Sequence, residues 1–234
     1  GLQDVLNQLL QINRKFSDLK LNLEIADQFI TNRIVQAKNY LNSLANVLAT
    51  GYVNKQNILL AAREILASIG EAHSAFNSVN IIENHGISST FVDLCGFNDS
   101  DYLTIDERIH KSFKNIDYSK TIPIVTGYTK GTEGIMREFD RGYSEVTFSK
   151  IAVELKADEA VIHKEFHLSS ADPNIVGLEK SIPVGMTNYN VADQLADIGM
   201  EAIHPKASKP LENAGINIRI KNTFEPMIEK YNHQ

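Results

Sequence analysis

The stretch from Thr132 to Pro173, TEGIMREFDRGYSEVTFSKIAVELKADEAVIHKEFHLSSADP, decides how this chain is read. A Gly-containing turn around Gly134 leads to an Arg-Gly-x-Ser loop, Arg141 to Ser144, which opens an amphipathic helix over roughly Ser144 to Lys156. Ile151, Val153 and Leu155 are expected on its apolar side, and Gly142 supplies the backbone freedom for a tight approach. The β-branched run Ala160 to His163 reads as a buried strand, and Asp172-Pro173 breaks the loop that follows. Loop, helix, strand, loop is the order of an α/β site for a nucleotide or another anion. The first N–H groups of a helix are unpaired and carry the positive end of its dipole, so an anion is welcome beside Arg141. The same pattern also describes a structural turn with a surface arginine, and spacing alone leaves both open.

Composition narrows the class. With 234 residues, 43% hydrophobic and 22% charged, the chain can bury a full core as one large or two small domains. Its apolar runs fall far short of the roughly 18 residues a membrane span needs, and no signal-peptide pattern is visible, so no membrane partner is expected. A net charge of -6, with scattered basic residues, argues against a nucleic-acid partner, because phosphate backbones demand clustered Lys and Arg. The single cysteine, Cys95, forms no internal disulfide and fits a reducing cytoplasm; in Asp93-Leu94-Cys95-Gly96 it reads as a small buried hydrophobe rather than a nucleophile.

Apolar spacings of three and four predict helices over Leu2 to Phe16, with Leu6, Leu9, Leu10 and Ile12, and over Asn22 to Leu48, with Ile25, Phe29, Ile34, Leu41, Leu44 and Leu48. A further helical stretch begins near Asn54, passes Gly70-Glu71 and runs on to Glu83. Glu71 then lies in a packed region, where a carboxylate needs a partner; the alternative is an exposed surface glutamate. Ser88 to Leu94 and Ile122 to Gly127 read as strands, Leu103 to Phe113 as a helix with Asp106 and Glu107 at its favourable end, and Ala192 to Ile198, Ala207 to Ala214 and Ile216 to Lys221 as helix, helix and strand. Alternation of this kind implies a mostly parallel sheet covered on both faces, with ligands outside the carboxyl ends of its strands.

Four blocks carry a resemblance. Glu133-Gly134, Asp140 to Glu145 (DRGYSE) with Ala171-Asp172-Pro173, Gly199 to Pro205 (GMEAIHP) and Lys221 to Pro226 (KNTFEP) resemble, in order and spacing, the EG, GRGGSD with DP, GAKxLHP and RNTFxP blocks of the aspartokinases in the amino-acid kinase family. The wording HKEFHLSSADP with GMEAIHP is most similar to the divergent, ectoine-associated type. The resemblance implies a three-layer αβα sandwich with a mostly parallel central sheet. It also implies ATP-dependent phosphorylation of the L-aspartate side-chain carboxylate to 4-phospho-L-aspartate, with Mg2+, as the first step of aspartate-family amino-acid or ectoine biosynthesis, by a cytoplasmic homodimer. Two alternatives stand beside it: a kinase for another small acid or a nucleotide, and a non-catalytic ligand-binding relative.

The resemblance implies site roles too. Glu71, in Gly70-Glu71-Ala72-His73-Ser74, matches the carboxylate that takes the substrate ammonium; Arg141, with a planar fork suited to a carboxylate, is its counterpart, and Ser144 and Glu145 line the same pocket. Glu145 is one methylene longer than the family's Asp. On the nucleotide side the matching positions are His163, Lys164, Ser169, Asp172 and Pro173, with Ser169 in place of a tyrosine. Glu201 stands where the family has a phosphate-contacting lysine, and Lys164 is expected to supply the missing cation. A zinc site at His163 and His167 is disfavoured, because that spacing aligns ligands only on a helix. No metal site is expected from protein ligands, and no P-loop motif occurs. The family's first strand with its Lys-x-Gly-Gly-[Ser/Thr] loop has no counterpart in the sequence. Residues 1–226 therefore read as a catalytic domain lacking that element, 227–234 as a linker stub towards an absent regulatory region, and the chain by itself as inactive.

Overall fold

Three of the helices start where a polar side chain can take an unpaired N–H. The Ile25 N–H donates to Asn22 Oδ1 at 3.3 Å and the Gln56 N–H to Asn54 Oδ1 at 2.7 Å. Thr104 and Glu107 close a reciprocal capping box at the start of the helix expected from Leu103. The computed structural model describes residues 1–139, 142–164, 169, 171, 173–182 and 203–224. The chain divides into two units, Gly1–Ser144 and Glu145–Gln234.

The first unit opens with helices α1 (Leu2–Lys15), α2 (Leu23–Ala49) and α3 (Lys55–Asn84), followed by strand β1 (Ser89–Val92), helix α4 (Ile105–Phe113), strand β2 (Ile122–Val125) and the short helix α5 (Ile135–Glu138). Strands β1 and β2 pair in parallel, Ser89 opposite Ile122 and Val92 opposite Val125. Helix α6 (Tyr143–Glu154) leads into the second unit, where β3 (Glu159–Lys164) and β4 (Asn217–Asn222) also pair in parallel, Glu159 opposite Asn217 and Lys164 opposite Asn222. Between them lie α7 (Pro173–Val176) and α8 (Pro205–Ala214). The expected helix at 192–198 lies outside the described residues, as does the stub at 227–234. No helix among the described residues is long and apolar enough to cross a membrane.

Packing refines two of the sequence expectations. In α2 the buried stripe is Ala26, Ile30, Arg33, Ile34 and Ala37, while Ile25 faces outward, so small residues rather than large ones let α2 approach its neighbours. Phe29 stacks on Phe76 of α3 with centroids 3.9 Å apart, and Phe91 of β1 meets both rings edge-on. In α6 the buried residues are Val146, Thr147, Ser149 and Ala152; Ile151, Val153 and Leu155 are only half-buried. A spacing of two cannot line one side of a helix, since successive side chains turn by about 100°.

A polar network ties α1, α2 and α3 together beneath this core. Asn13, fully buried, donates through Nδ2 to Asp27 Oδ1 at 2.8 Å, and its Oδ1 takes Asn77 Nδ2 at 2.8 Å. His73 Nε2 lies 2.7 Å from the same oxygen, which can only accept, so this nitrogen carries the proton. Burial pushes the His73 pKa below its ordinary value, against a smaller opposing pull from the Asp27 charge. A histidine whose folded pKa is lowered binds protons more readily when unfolded, so it costs stability as pH falls below about 6.5. The thermal midpoint should therefore drop between about pH 7.5 and about pH 5.5, and the drop should shrink in His73→Gln. Equal drops in the two proteins would remove His73 from the account.

Candidate active site

In the first unit, the site grows out of the carboxyl end of β2. Beyond Val125 the chain turns through Thr126, whose hydroxyl donates to the Tyr128 carbonyl at 2.9 Å and accepts the Leu94 N–H at 3.1 Å, binding the ends of β1 and β2 together. Gly127 follows, and α3 passes beside it. The packed carboxylate that the sequence demanded a partner for has one: Ser144 Oγ donates to Glu71 Oε1 at 2.6 Å. A Cβ built on Gly127 would stand 2.6 Å from Glu71 Oε2 and 2.8 Å from Ser144 Oγ, so only glycine leaves room for this pairing. Gly142, at φ +74°, makes the left-handed turn that delivers the first residues of α6 to Glu71. Burial, then the nearby Glu71 charge, raises the Tyr143 pKa. Ser144 is a neutral partner and leaves the Glu71 carboxylate its charge, which suits a ligand cation.

Sequence reasoning missed the residues around this anchor. Glu64 lies about two helical turns before Glu71 on α3 and uses both oxygens, accepting Tyr128 Oη at 2.7 Å and the Met136 N–H at 2.8 Å. The Glu133-Gly134 turn is thereby fixed from two sides, since Glu133 also accepts the Ile105 N–H at 3.1 Å. The seven-residue spacing of Glu64 and Glu71 was the available signal, because it places both on one helix face. Burial, then the Glu64 charge, raises the Tyr128 pKa far above its usual value, so the phenol is a permanent donor. Cys95 is buried, with Sγ 3.5 Å from the Ser68 carbonyl, and burial raises its pKa well beyond a reactive thiol's; it is the small hydrophobe expected.

In the second unit, Glu145 accepts the His204 N–H at 2.6 Å and faces Lys164 Nζ at 3.3 Å. The extra methylene of Glu145 serves this double reach, from the first turn of α6 to the end of β3 and the start of α8. Lys164 is held by its backbone as well, its carbonyl accepting Thr223 N–H at 2.8 Å and Thr223 Oγ1 at 3.1 Å. Asn222 and Thr223 of the KNTF block thus have a structural duty at the strand ends: the buried Asn222 accepts the Phe224 N–H at 2.8 Å. His163 is exposed on β3. Ser169 is buried and donates to the Ala171 carbonyl at 3.0 Å, so its hydroxyl closes its own loop. Pro173 begins α7, the place where a missing N–H costs nothing. Arg141, Asp172, His167 and Glu201 lie outside the described residues.

A model of the amino acid kinase family matches residues 5–222, and so includes the helices ahead of Glu64. The chain belongs to the amino acid kinase family. Among similar proteins are the aspartate kinase Ask_Ect of Stutzerimonas stutzeri, 48% identical over 226 residues covering 97% of this chain and 48% of that protein, and the aspartokinase of Schizosaccharomyces pombe, 28% identical over 93% of this chain and 42% of that protein. This amino acid kinase chain spans about half the length of the curated relatives it matches. Of solved structures, the aspartate kinase of Clostridium acetobutylicum superposes with a TM-score of 0.64 at 20% identity, over 96% of this chain and 46% of that one. Aspartokinase III of E. coli in complex with aspartate and ADP does so at 0.63 and 16% identity, over 97% and 54%. The mixed α/β fold with parallel strands is that of these amino acid kinases.

Proposed function

We propose that the full-length protein is an ATP-dependent aspartate kinase, transferring the γ-phosphoryl group of ATP to the side-chain carboxylate of L-aspartate and releasing ADP and 4-phospho-L-aspartate. The observation that carries this reading is the Glu71 carboxylate, paired with the Ser144 hydroxyl at 2.6 Å beside the end of β2, in a chain 48% identical to a protein named an aspartate kinase. An ammonium is the natural complement of that carboxylate, and Arg141 is the proposed complement of the substrate α-carboxylate. The acceptor itself needs no general base, because an aspartate side chain is already ionised at neutral pH. One carboxylate oxygen attacks the γ-phosphorus as the bond to the β,γ-bridging oxygen breaks, and the electron pair leaves with ADP. Alignment of two anions and neutralisation of the transferring group are the remaining tasks. Magnesium enters with the nucleotide phosphates as part of that substrate.

Lys164 is the residue of this chain proposed to meet the phosphates. Its ammonium stands at the carboxyl end of β3, oriented by Glu145 and by the Thr223 contacts to its own backbone. Lys164→Ala should raise the Michaelis constant for ATP about tenfold or more while leaving that for aspartate near its original value. An unchanged ATP constant would remove Lys164 from the nucleotide site. His163, Asp172 and Pro173 complete the proposed nucleotide loop. The full-length protein is proposed to work in the cytoplasm as a homodimer, which light scattering of the purified protein will test. The activity itself is tested by supplying aspartate, ATP, magnesium and hydroxylamine, since an acyl phosphate yields a hydroxamate. Absence of hydroxamate, alongside turnover with another small acid, would overturn the aspartate assignment.

A further inference from the structure

Glu64 shares a face of α3 with Glu71, yet both of its oxygens are engaged inside the protein. Oε2 accepts the Tyr128 hydroxyl at 2.7 Å and Oε1 accepts the Met136 N–H at 2.8 Å. Tyr128 is buried and follows Gly127, whose missing side chain lets Glu71 and Ser144 meet. The loop from Thr126 to Lys130 is fixed to the end of β1 at its two feet: Thr126 Oγ1 accepts the Leu94 N–H at 3.1 Å, and the Lys130 N–H donates to the Leu94 carbonyl at 2.8 Å. Neither bond relates the crown of the loop to α3. The Tyr128 hydroxyl does, and it lands on the helix that carries Glu71. The clearance it maintains is narrow, since a Cβ on Gly127 would stand 2.6 Å from Glu71 Oε2. The same ring meets Tyr143 edge-on, one residue before Ser144, with centroids 6.3 Å apart and planes at 74°. The Gly127 loop and the start of α6, which flank the Glu71 carboxylate, are therefore both tied back to Glu64. A hydroxyl-to-carboxylate bond is charge-assisted and stronger than a neutral one. Burial, then the Glu64 charge, keeps the phenol protonated, so the bond persists through the physiological pH range.

We propose that Glu64 is a positioning residue for amino-acid recognition: through the Tyr128 hydroxyl it holds the Gly127 loop against Glu71, so that the Glu71 carboxylate keeps its place for a ligand ammonium. This rests on the aspartate kinase reading above, and deepens it by naming what fixes the ammonium anchor. Glu64 has no part in phosphoryl transfer itself, because both its oxygens are engaged within the protein. The tie acts at the amino-acid end and leaves the nucleotide contacts proposed at Lys164 alone.

The test is a double-substitution cycle in the full-length protein, read by the hydroxamate assay with aspartate and ATP varied in turn. Tyr128→Phe keeps the ring and its edge contact with Tyr143 and removes only the hydroxyl. It should raise the Michaelis constant for L-aspartate about five- to tenfold, with kcat and the ATP constant each within about twofold. Glu64→Ala should raise the aspartate constant at least as much. Adding Tyr128→Phe to Glu64→Ala should change it by less than about twofold more, because the hydroxyl then has no carboxylate to lose. An unchanged aspartate constant in Tyr128→Phe overturns the inference. So does an equal rise in the aspartate and ATP constants, which marks a general distortion, and so does the same rise from Tyr128→Phe in both backgrounds, which puts the role of the hydroxyl elsewhere. Should Glu64→Ala fail to fold, Tyr128→Phe decides alone, through the split between its aspartate and ATP constants. If the wild-type protein forms no hydroxamate from aspartate, the underlying reading fails before any variant is compared, and the inference falls with it.

Discussion

Glu71→Gln in the full-length protein is expected to raise the Michaelis constant for L-aspartate on the order of 10²- to 10³-fold, with little change in thermal stability. The two halves of this expectation have different origins. Stability is preserved because glutamine has the same shape and keeps a carbonyl oxygen for Ser144 Oγ, now 2.6 Å from Glu71 Oε1. Affinity is lost because an amide cannot neutralise an ammonium, and leaving one member of a desolvated charge pair alone costs about 3–5 kcal/mol. Glu71 is half-buried, which places the effect towards the lower end of that range. The ATP constant should stay near its original value, since the nucleotide contacts are proposed at Lys164 and the loop after β3. Initial rates at varied aspartate and fixed ATP, then the reverse, separate the two. A Glu71→Gln enzyme with ordinary aspartate kinetics would deny Glu71 any part in binding the amino group.

The elements of the fold were legible because periodicity is local. The helix from Leu103, with its acidic first turn, and the short apolar strand from Ile122 could be placed to within a few residues, and proved to be α4 and β2 respectively. Facing was harder to read. Ile25 was expected inward and is exposed, because the hydrophobic stripe of α2 is built from Ala26, Ile30 and Ala37, whose small members no hydropathy pattern singles out. The buried Asn13, His73 and Asn77 were invisible for the opposite reason: polar residues read as surface until their mutual hydrogen bonds are seen. In the candidate site, Glu71 and Ser144 are 73 residues apart in sequence and meet through one hydrogen bond. Lys164 was proposed as a cation for phosphate, and the structure adds what the sequence could not, a carboxylate at 3.3 Å that orients it.

Gly127→Ala should lower kcat/KM for aspartate about a hundredfold, and the reason is a single methyl group. The built Cβ falls 2.6 Å from Glu71 Oε2, 2.8 Å from Ser144 Oγ and 2.9 Å from Ser144 Cβ. These contacts are too short to survive, so either the carboxylate or the start of α6 must move, and a displacement of about 1 Å at a positioning group is enough for a loss of that size. Overpacking here should also cost about 1–3 kcal/mol of stability. Gly70 supplies the control one residue from the anchor. It is exposed within α3, and a Cβ there would meet nothing within 4 Å, so Gly70→Ala should leave kinetics unchanged and stabilise the helix by about 1 kcal/mol. The pair of substitutions adds the same atom on two sides of the proposed ammonium anchor. If both variants turn over aspartate like the wild type, the close approach of Glu71, Ser144 and Gly127 has no bearing on the reaction, and the substrate must be sought elsewhere on the molecule.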